Sequence, residues 1–535
     1  VNNADLSITV TGATTLAKGF DLVVDSDKPE TFDNNFYLNT GSLNLGTGNT
    51  TAFFANNLNS YKVIINSAFV TGDVSNGLIN ADANMSLSAL DLTVGDVVNY
   101  AGAMDLSATN NLIAKSVSDV AGATTNLTAD GNISVTDTIT ANSTMNLRGQ
   151  QISAGGIVVN AGDLNVLAST GESGLVTING DVVNNAVYDD SGVLVPGTVN
   201  ISGRQINIIG NVNNEAGDLT VGGSDLQENA IHFGGVSVAG GVATMGAALG
   251  IDISQTKVGE DMIGSGTLSV TDGVLNLTAG THSVTVGGVG DNSGYVVDIA
   301  GDIIATAAQG TSGAGDVYVN ASGNQGFTLN ANGAVNVGGD VLATTATTAG
   351  RTLIFASKEM SVDGDVNANG SLNKLVFQGR PSSVIASLAN TYAPVADLTV
   401  GGELVASNAG VVEISSTDIT VGSLTENNGA IYVYGDGTDA VQMDVTDGDV
   451  YIQNGITFNS ATSSNKGLII ANTSAFDLSA DASNQNLDVS GGVDVGAGAT
   501  LSLNVGFDMT VSGAANIAGK LDANVGDIAE FTNDM

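Results

Sequence analysis

Short alternating triplets return along this chain at a nearly fixed interval, and that interval restricts the fold more than any other feature. Met85-Ser86-Leu87, Met104-Asp105-Leu106, Thr125-Asn126-Leu127, Met145-Asn146-Leu147 and Leu164-Asn165-Val166 begin 19, 21, 20 and 19 residues apart. Self-comparison gives the same period. Met145-Asn146-Leu147-Arg148-Gly149-Gln150-Gln151-Ile152 matches Val199-Asn200-Ile201-Ser202-Gly203-Arg204-Gln205-Ile206. Each copy leads into Gly162-Asp163-Leu164-Asn165-Val166 or Gly217-Asp218-Leu219-Thr220-Val221. A steady step near 20 with period-2 alternation is the signature of a coiled repeat whose inward residues are buried only when coils stack.

A third signal marks the corners. Gly-Asp followed by Val, Ile or Leu starts at Gly72, Gly95, Gly162, Gly180, Gly217, Gly301, Gly315, Gly339, Gly364, Gly448 and Gly526. Glycine supplies positive φ at a tight turn, aspartate bonds its own backbone two residues on, and the aliphatic residue opens the next inward-facing strand. The structural turns expected on this basis include Gly162-Asp163, Gly217-Asp218, Gly301-Asp302, Gly339-Asp340 and Gly364-Asp365. The reading is all-β: a parallel β-helix, or β-solenoid, of about 20 residues per coil. Beaded β-sandwich domains would repeat every ~80–100 residues, and no such period is visible.

Composition agrees. Of 535 residues, 71 are Gly, 4 Pro, and none Cys or Trp. Small side chains suit a narrow interior, and scarce proline leaves the backbone N–H groups available for the ladder. The absence of cysteine excludes disulfides and thiolate metal sites. With 13 basic against 54 acidic residues, the net charge of −41 argues against nucleic-acid binding, which needs a Lys/Arg surface. A hydrophobic content of 42% argues against simple disorder. Acids at outward turns would keep such a rod soluble and mutually repelling, with salt or divalent ions screening it.

Breaks in the repeat predict loops on one solenoid running through residues 1–535. They fall near 28–37, 187–196, 227–263 and 380–394, the last with a short helix over 382–392. The third contains an uncharged run from Phe233 to Ile251 with six glycines. It reads as buried strands or a small helix around Val242–Leu249 rather than a membrane span.

At repeat level, Gly149 to Val166 and Gly203 to Val221 resemble filamentous haemagglutinin-type repeats. So do Val335-Asn336-Val337-Gly338-Gly339-Asp340-Val341 and Leu398-Thr399-Val400-Gly401-Gly402-Glu403-Leu404. Similar coils occur in autotransporter passenger domains. The resemblance implies a bacterial surface β-solenoid. It departs from the family in lacking the Asn-Pro motif of the secretion domain, since no proline here follows asparagine.

Chemistry-bearing residues are sparse. His232 and His282 stand alone in strand-like contexts. The Asp189-Asp190 pair is not accompanied by the Gly-His-Gly and Arg-x-Lys signatures of pectinase-like hydrolases. The expectation is therefore no enzyme, with a polysaccharide-active β-helix as the third-ranked reading. Calcium is the ligand these acids would best take, because Asp and Asn at turns supply hard oxygens. The cluster Asp436, Asp439, Asp444, Asp447 and Asp449 is densest, followed by Asp291 with Asp298, and by Asp189-Asp190. The strict calcium nonapeptide is absent. The leading expectation is an exported, extracellular or cell-surface structural protein without a transmembrane segment. It would associate with copies of itself, head to tail or laterally. The alternative is an adhesin whose loops recognise a glycan or another cell-surface protein.

Overall fold

A polypeptide whose inward residues alternate with outward ones hides half its side chains only by pairing with a neighbour above and below. In the computed structural model this pairing is parallel throughout the main ladders. The structure describes most of residues 91–433 with side chains, and parts of 509–532. Within 6–89 and 434–517 it describes mainly the backbone of separate strands. Short segments inside 91–433 also lie outside the described residues, chiefly 170–173, 223–230, 288–294, 321–326, 345–349 and 380–394. Among the described residues there is no helix. The chain is a parallel β-helix with three strands to a coil, giving three faces. Two compact units divide it: residues 1–249 with 255–265, and 250–254 with 266–535.

In the first unit the triplet series is the first face. Met85, Met104, Thr125, Met145, Leu164, Val199, Leu219 and Ala243 pair in succession. The second face stacks Val63, Leu92, Leu112, Ile133, Ile152, Val176 and Ile206. The third stacks Leu78, Val97, Val117, Ile139, Ile157, Val182, Val212 and Val236. From Leu92 onward these inward residues are at most 2% exposed. The self-alignment of Met145–Ile152 with Val199–Ile206 now has a geometric meaning. Leu164 and Val176 separate the two copies, so matched residues lie two coils apart in one column.

The corner between the second and third faces is a bend inside a continuous strand, as in Asn132–Ala141, Gln151–Val159 and Gln205–Asn214. Glycine at this bend answers to crowding. A Cβ on Gly155 would sit 2.5 Å from the Thr136 carbonyl oxygen.

In the second unit the second face stacks Ile251, Val284, Leu329, Phe355, Phe377, Ile414 and Val433. The rings of Phe355 and Phe377 lie parallel at 5.4 Å. The third face stacks Leu268, Val297, Val335, Met360, Leu398, Ile419 and Met443. The first face departs from chain order. Its column runs Leu275, Val317, Ile303, Val341, Val366, Leu404, Leu424. The strand Val317–Asn320 thus lies between Val274–Ala279 and Ile303–Thr306. Over the same interval the other two faces step directly from Val284 to Leu329 and from Val297 to Val335. One face therefore carries a strand more than its companions.

Two segments leave the ladder as antiparallel hairpins. Val187–Tyr188 pairs with Leu194–Val195, and Thr256–Val258 with Asp261–Ile263. The excursion expected over 227–263 is correspondingly narrower. Ile231–Val238 and Val242–Ala247 are ladder strands in register with the coil before them, so of the two readings of this stretch the buried strands hold and the small helix near Val242 does not. Alternating burial of Ala243, Met245 and Ala247 shows why: the period there is 2, not 3.6. The breaks near 28–37 and 380–394 lie wholly or largely outside the described residues.

Candidate functional site

The outward side chains of the first unit are organised along the stack. In the middle position of the triplets, Asn126 donates to Asp105 at 2.6 Å and Asn146 to Asn126 at 2.8 Å. Asn165 donates to Asn146 at 2.9 Å, and Asn200 to Asn165 at 3.0 Å. In-register parallel pairing places identical side chains one strand spacing apart, about 4.8 Å, and an amide has both donor and acceptor to bridge that gap. A second row joins Asn142, Asn160 and Asn185 at 2.9 and 2.7 Å. The alternating pattern marks these positions as outward, but their mutual bonding appears only with the register.

The Gly-Asp corners fall into two kinds. Gly162 and Gly217 have φ of +84° and +71°, the conformation expected of them. The side chains of Asp163 and Asp218 are exposed there. Gly301, Gly339 and Gly364 do not have positive φ. Their reason is proximity: a Cβ on Gly364 would lie 2.8 Å from the Gly339 carbonyl oxygen. The aspartates also differ from expectation. Instead of bonding its own backbone, each carboxylate accepts the N–H of the acid in the adjacent coil. Asp316 accepts from Asp302 at 3.0 Å, Asp302 from Asp340 at 2.8 Å, Asp340 from Asp365 at 2.8 Å, and Asp365 from Glu403 at 2.8 Å. Glu403 in turn accepts from the Thr425 hydroxyl. The local aspartate turn does occur at Asp189, which accepts Ser191 N at 2.8 Å and Val193 N at 2.9 Å at the tip of the first hairpin.

The residues read as calcium ligands are not assembled into a described site. Asp291, Asp436, Asp439, Asp447 and Asp449 lie outside the described residues. Asp444 belongs to the strand Val441–Val445, of which the backbone is described. Asp298 is exposed on the third face. In strand register it is followed by Asn336, Ser361, Thr399, Thr420 and Asp444. Five strand steps, or about 24 Å at ~4.8 Å each, therefore separate Asp298 from Asp444. Among the described residues no group of three or more His, Cys, Asp or Glu is placed to hold a metal ion. His232 contacts Thr256 Oγ1 at 2.8 Å, tying the second hairpin to its coil, and His282 lies outside the described residues.

Two surface features stand out. A shallow groove on the third face of the second unit is lined by Asn336, Ser361 and Thr399, with Glu359, Asp397 and Asp418 on successive coils. The hairpin at 187–195 exposes Tyr188 and Val193 to about 60%, beside Leu194 and Val195. No helix among the described residues is long and apolar enough to cross a membrane.

No family model, curated protein or solved structure matches this chain.

Proposed function

We propose that this chain is a structural β-solenoid of the cell surface or extracellular space, similar in repeat style to filamentous haemagglutinin and autotransporter passenger domains, and that it builds a rod, fibre or sheath with copies of itself. The observation that supports this most is the direction of its polar bonding. Rows such as Asp105–Asn126–Asn146–Asn165–Asn200 commit outward side chains to neighbours along the stack. Such rows stiffen a shaft, whereas a binding surface keeps its donors and acceptors for a ligand. Electron microscopy of the purified chain tests the assembly. End-to-end or laterally registered particles at high concentration are expected, and isolated particles at every concentration, with and without divalent cations, would overturn it.

The second reading is an adhesin, and a specific feature favours it. The Val187–Val195 hairpin places Tyr188 and Val193 in solvent on an element that contributes no strand to the ladder. Loops carried on a rigid scaffold are the usual carriers of recognition. Deleting residues 187–195 would abolish attachment to a glycan array or to cells and leave assembly intact. Unchanged attachment would refute this reading.

A further inference from the structure

One carboxylate stands in a column where amides and apolar groups otherwise sit. The last inward position of the third face is occupied in successive coils by Asn99, Asp119, Ala141, Val159, Asn184 and Asn214. Asp119 is 1% exposed. Its Oδ1 accepts Asn142 N at 2.7 Å and Ser143 N at 3.1 Å, while Asn142 Nδ2 returns a bond to the Asp119 carbonyl. Its Oδ2 is buried with no hydrogen-bond partner. Beside it Asn99 and Thr125 are also fully buried, and Asn99 Nδ2 is directed to Thr125 Oγ1 and to the Thr124 carbonyl rather than to Asp119.

We propose that Asp119 is a proton-operated lock on the corner joining the third face to the first: with Oδ2 protonated the corner holds, and with Oδ2 ionised it loosens. An ionised carboxylate out of water needs a donor for each oxygen, and this one has donors for Oδ1 alone. Burial pushes the acid's pKa up, and the backbone N–H groups of Asn142, Ser143 and Asp119 itself oppose that only in part. No other charge shares in the shift. The charged groups on and around the packed strands are Asp96, Asp105, Lys115, Asp130, Asp137, Arg148 and Asp163, all with outward side chains; Asp163 stands nearest, its N–H bonded to the Ser143 carbonyl at 3.1 Å. Lys115 stands between Asp96 and Asp137 at 3.7 and 3.9 Å, and Asp105 bonds Asn126.

The sign follows from linkage. Below the pKa of the unfolded chain Asp119 is protonated in both states and the corner has its full stability. That stability is lost as pH rises through the higher folded pKa, and it is constant above. Each unit between the two pKa values changes local opening about tenfold.

Hydrogen exchange of the full chain, followed by mass spectrometry from mild acid to neutral pH and corrected for the intrinsic rate, reads this directly. Peptides covering Asn142 and Ser143 should lose protection as pH rises. Peptides at the Asn184 and Asn214 corners, where an amide replaces the acid, should not. Asp119→Asn should flatten the profile at Asn142–Ser143 at its acidic, protected level. Equal pH dependence at the acid and amide corners of the wild type would overturn the proposal even if the variant failed to fold. A variant profile parallel to the wild type would overturn it as well.

Discussion

Two glycines separate backbone strain from crowding, because they share a conformation and differ in surroundings. Gly192, at the tip of the first hairpin, has φ +77° and open space where a Cβ would go. Gly217, at a coil corner, has φ +71°, and its Cβ would fall 2.0 Å from the Gly197 carbonyl oxygen of the coil below. Left-handed φ costs a side chain about 1–2 kcal/mol, and the stiffer unfolded chain of an alanine variant returns about 0.4–1 kcal/mol. Gly192→Ala should therefore cost at most about 1.6 kcal/mol, confined to the hairpin. Gly217→Ala carries the same strain and must also displace the Gly197 carbonyl by about 1.5 Å to regain ordinary contact. That disturbs the pairing of 198–201 with 218–221 and the bond from Val242 N to the Gly217 carbonyl at 2.8 Å. Two or three ladder bonds at about 1 kcal/mol each bring the net to about 3 kcal/mol. Urea unfolding by circular dichroism, with exchange measured on peptides over 197–221, checks both variants. Equal shifts of the urea midpoint would mean that coil-to-coil contact at this corner is looser than the structure requires.

Other perturbations have equally definite outcomes. Phe377→Ala removes a fully buried ring stacked on Phe355 and should cost about 3–5 kcal/mol, seen as a lower urea midpoint; Phe377→Leu should recover much of it. Asp340→Ala leaves the Asp365 N–H without its acceptor and should cost about 1–2 kcal/mol, whereas Asp340→Asn keeps an acceptor oxygen and should cost less, a ranking thermal melts can read. Asn146→Ala interrupts the outward row on both sides and should cost about 1 kcal/mol with faster exchange nearby, while Asn146→Asp should be worse because a carboxylate cannot donate to Asn126.

The fold was legible because each triplet in the series fell in the same column, so spacing alone predicted the first-face register through five coils. Corner residues were legible in position and only half so in cause. Positive φ explains Gly162 and Gly217, but the approach of successive backbones that requires Gly339 and Gly364 exists only once coils are stacked. The same holds for the carboxylate column from Asp316 to Glu403, whose donors come from residues 14 to 38 positions away. The additional first-face strand did leave a trace: Gly301-Asp302 and Gly315-Asp316 are corners 14 residues apart, too close for a full coil. Asp119 gave no signal, since nothing local distinguishes a buried aspartate from the many outward ones. Partner choice was not legible either, because the outward rows use Asn, Ser and Thr to complete the shaft itself.

The additional strand Val317–Asn320 is an edge dislocation in an otherwise regular one-dimensional lattice. Such a defect has no local remedy. Shifting it by one position would require the strands of one face to exchange partners while the other two faces kept theirs. The second unit consequently has a fixed address along its own stack: coils on either side cannot slip by a repeat, although their sequences are similar enough to permit it. A repeat array is prone to registry errors as it folds, and among the described residues of this unit the additional strand is a mark from which its other coils can be counted.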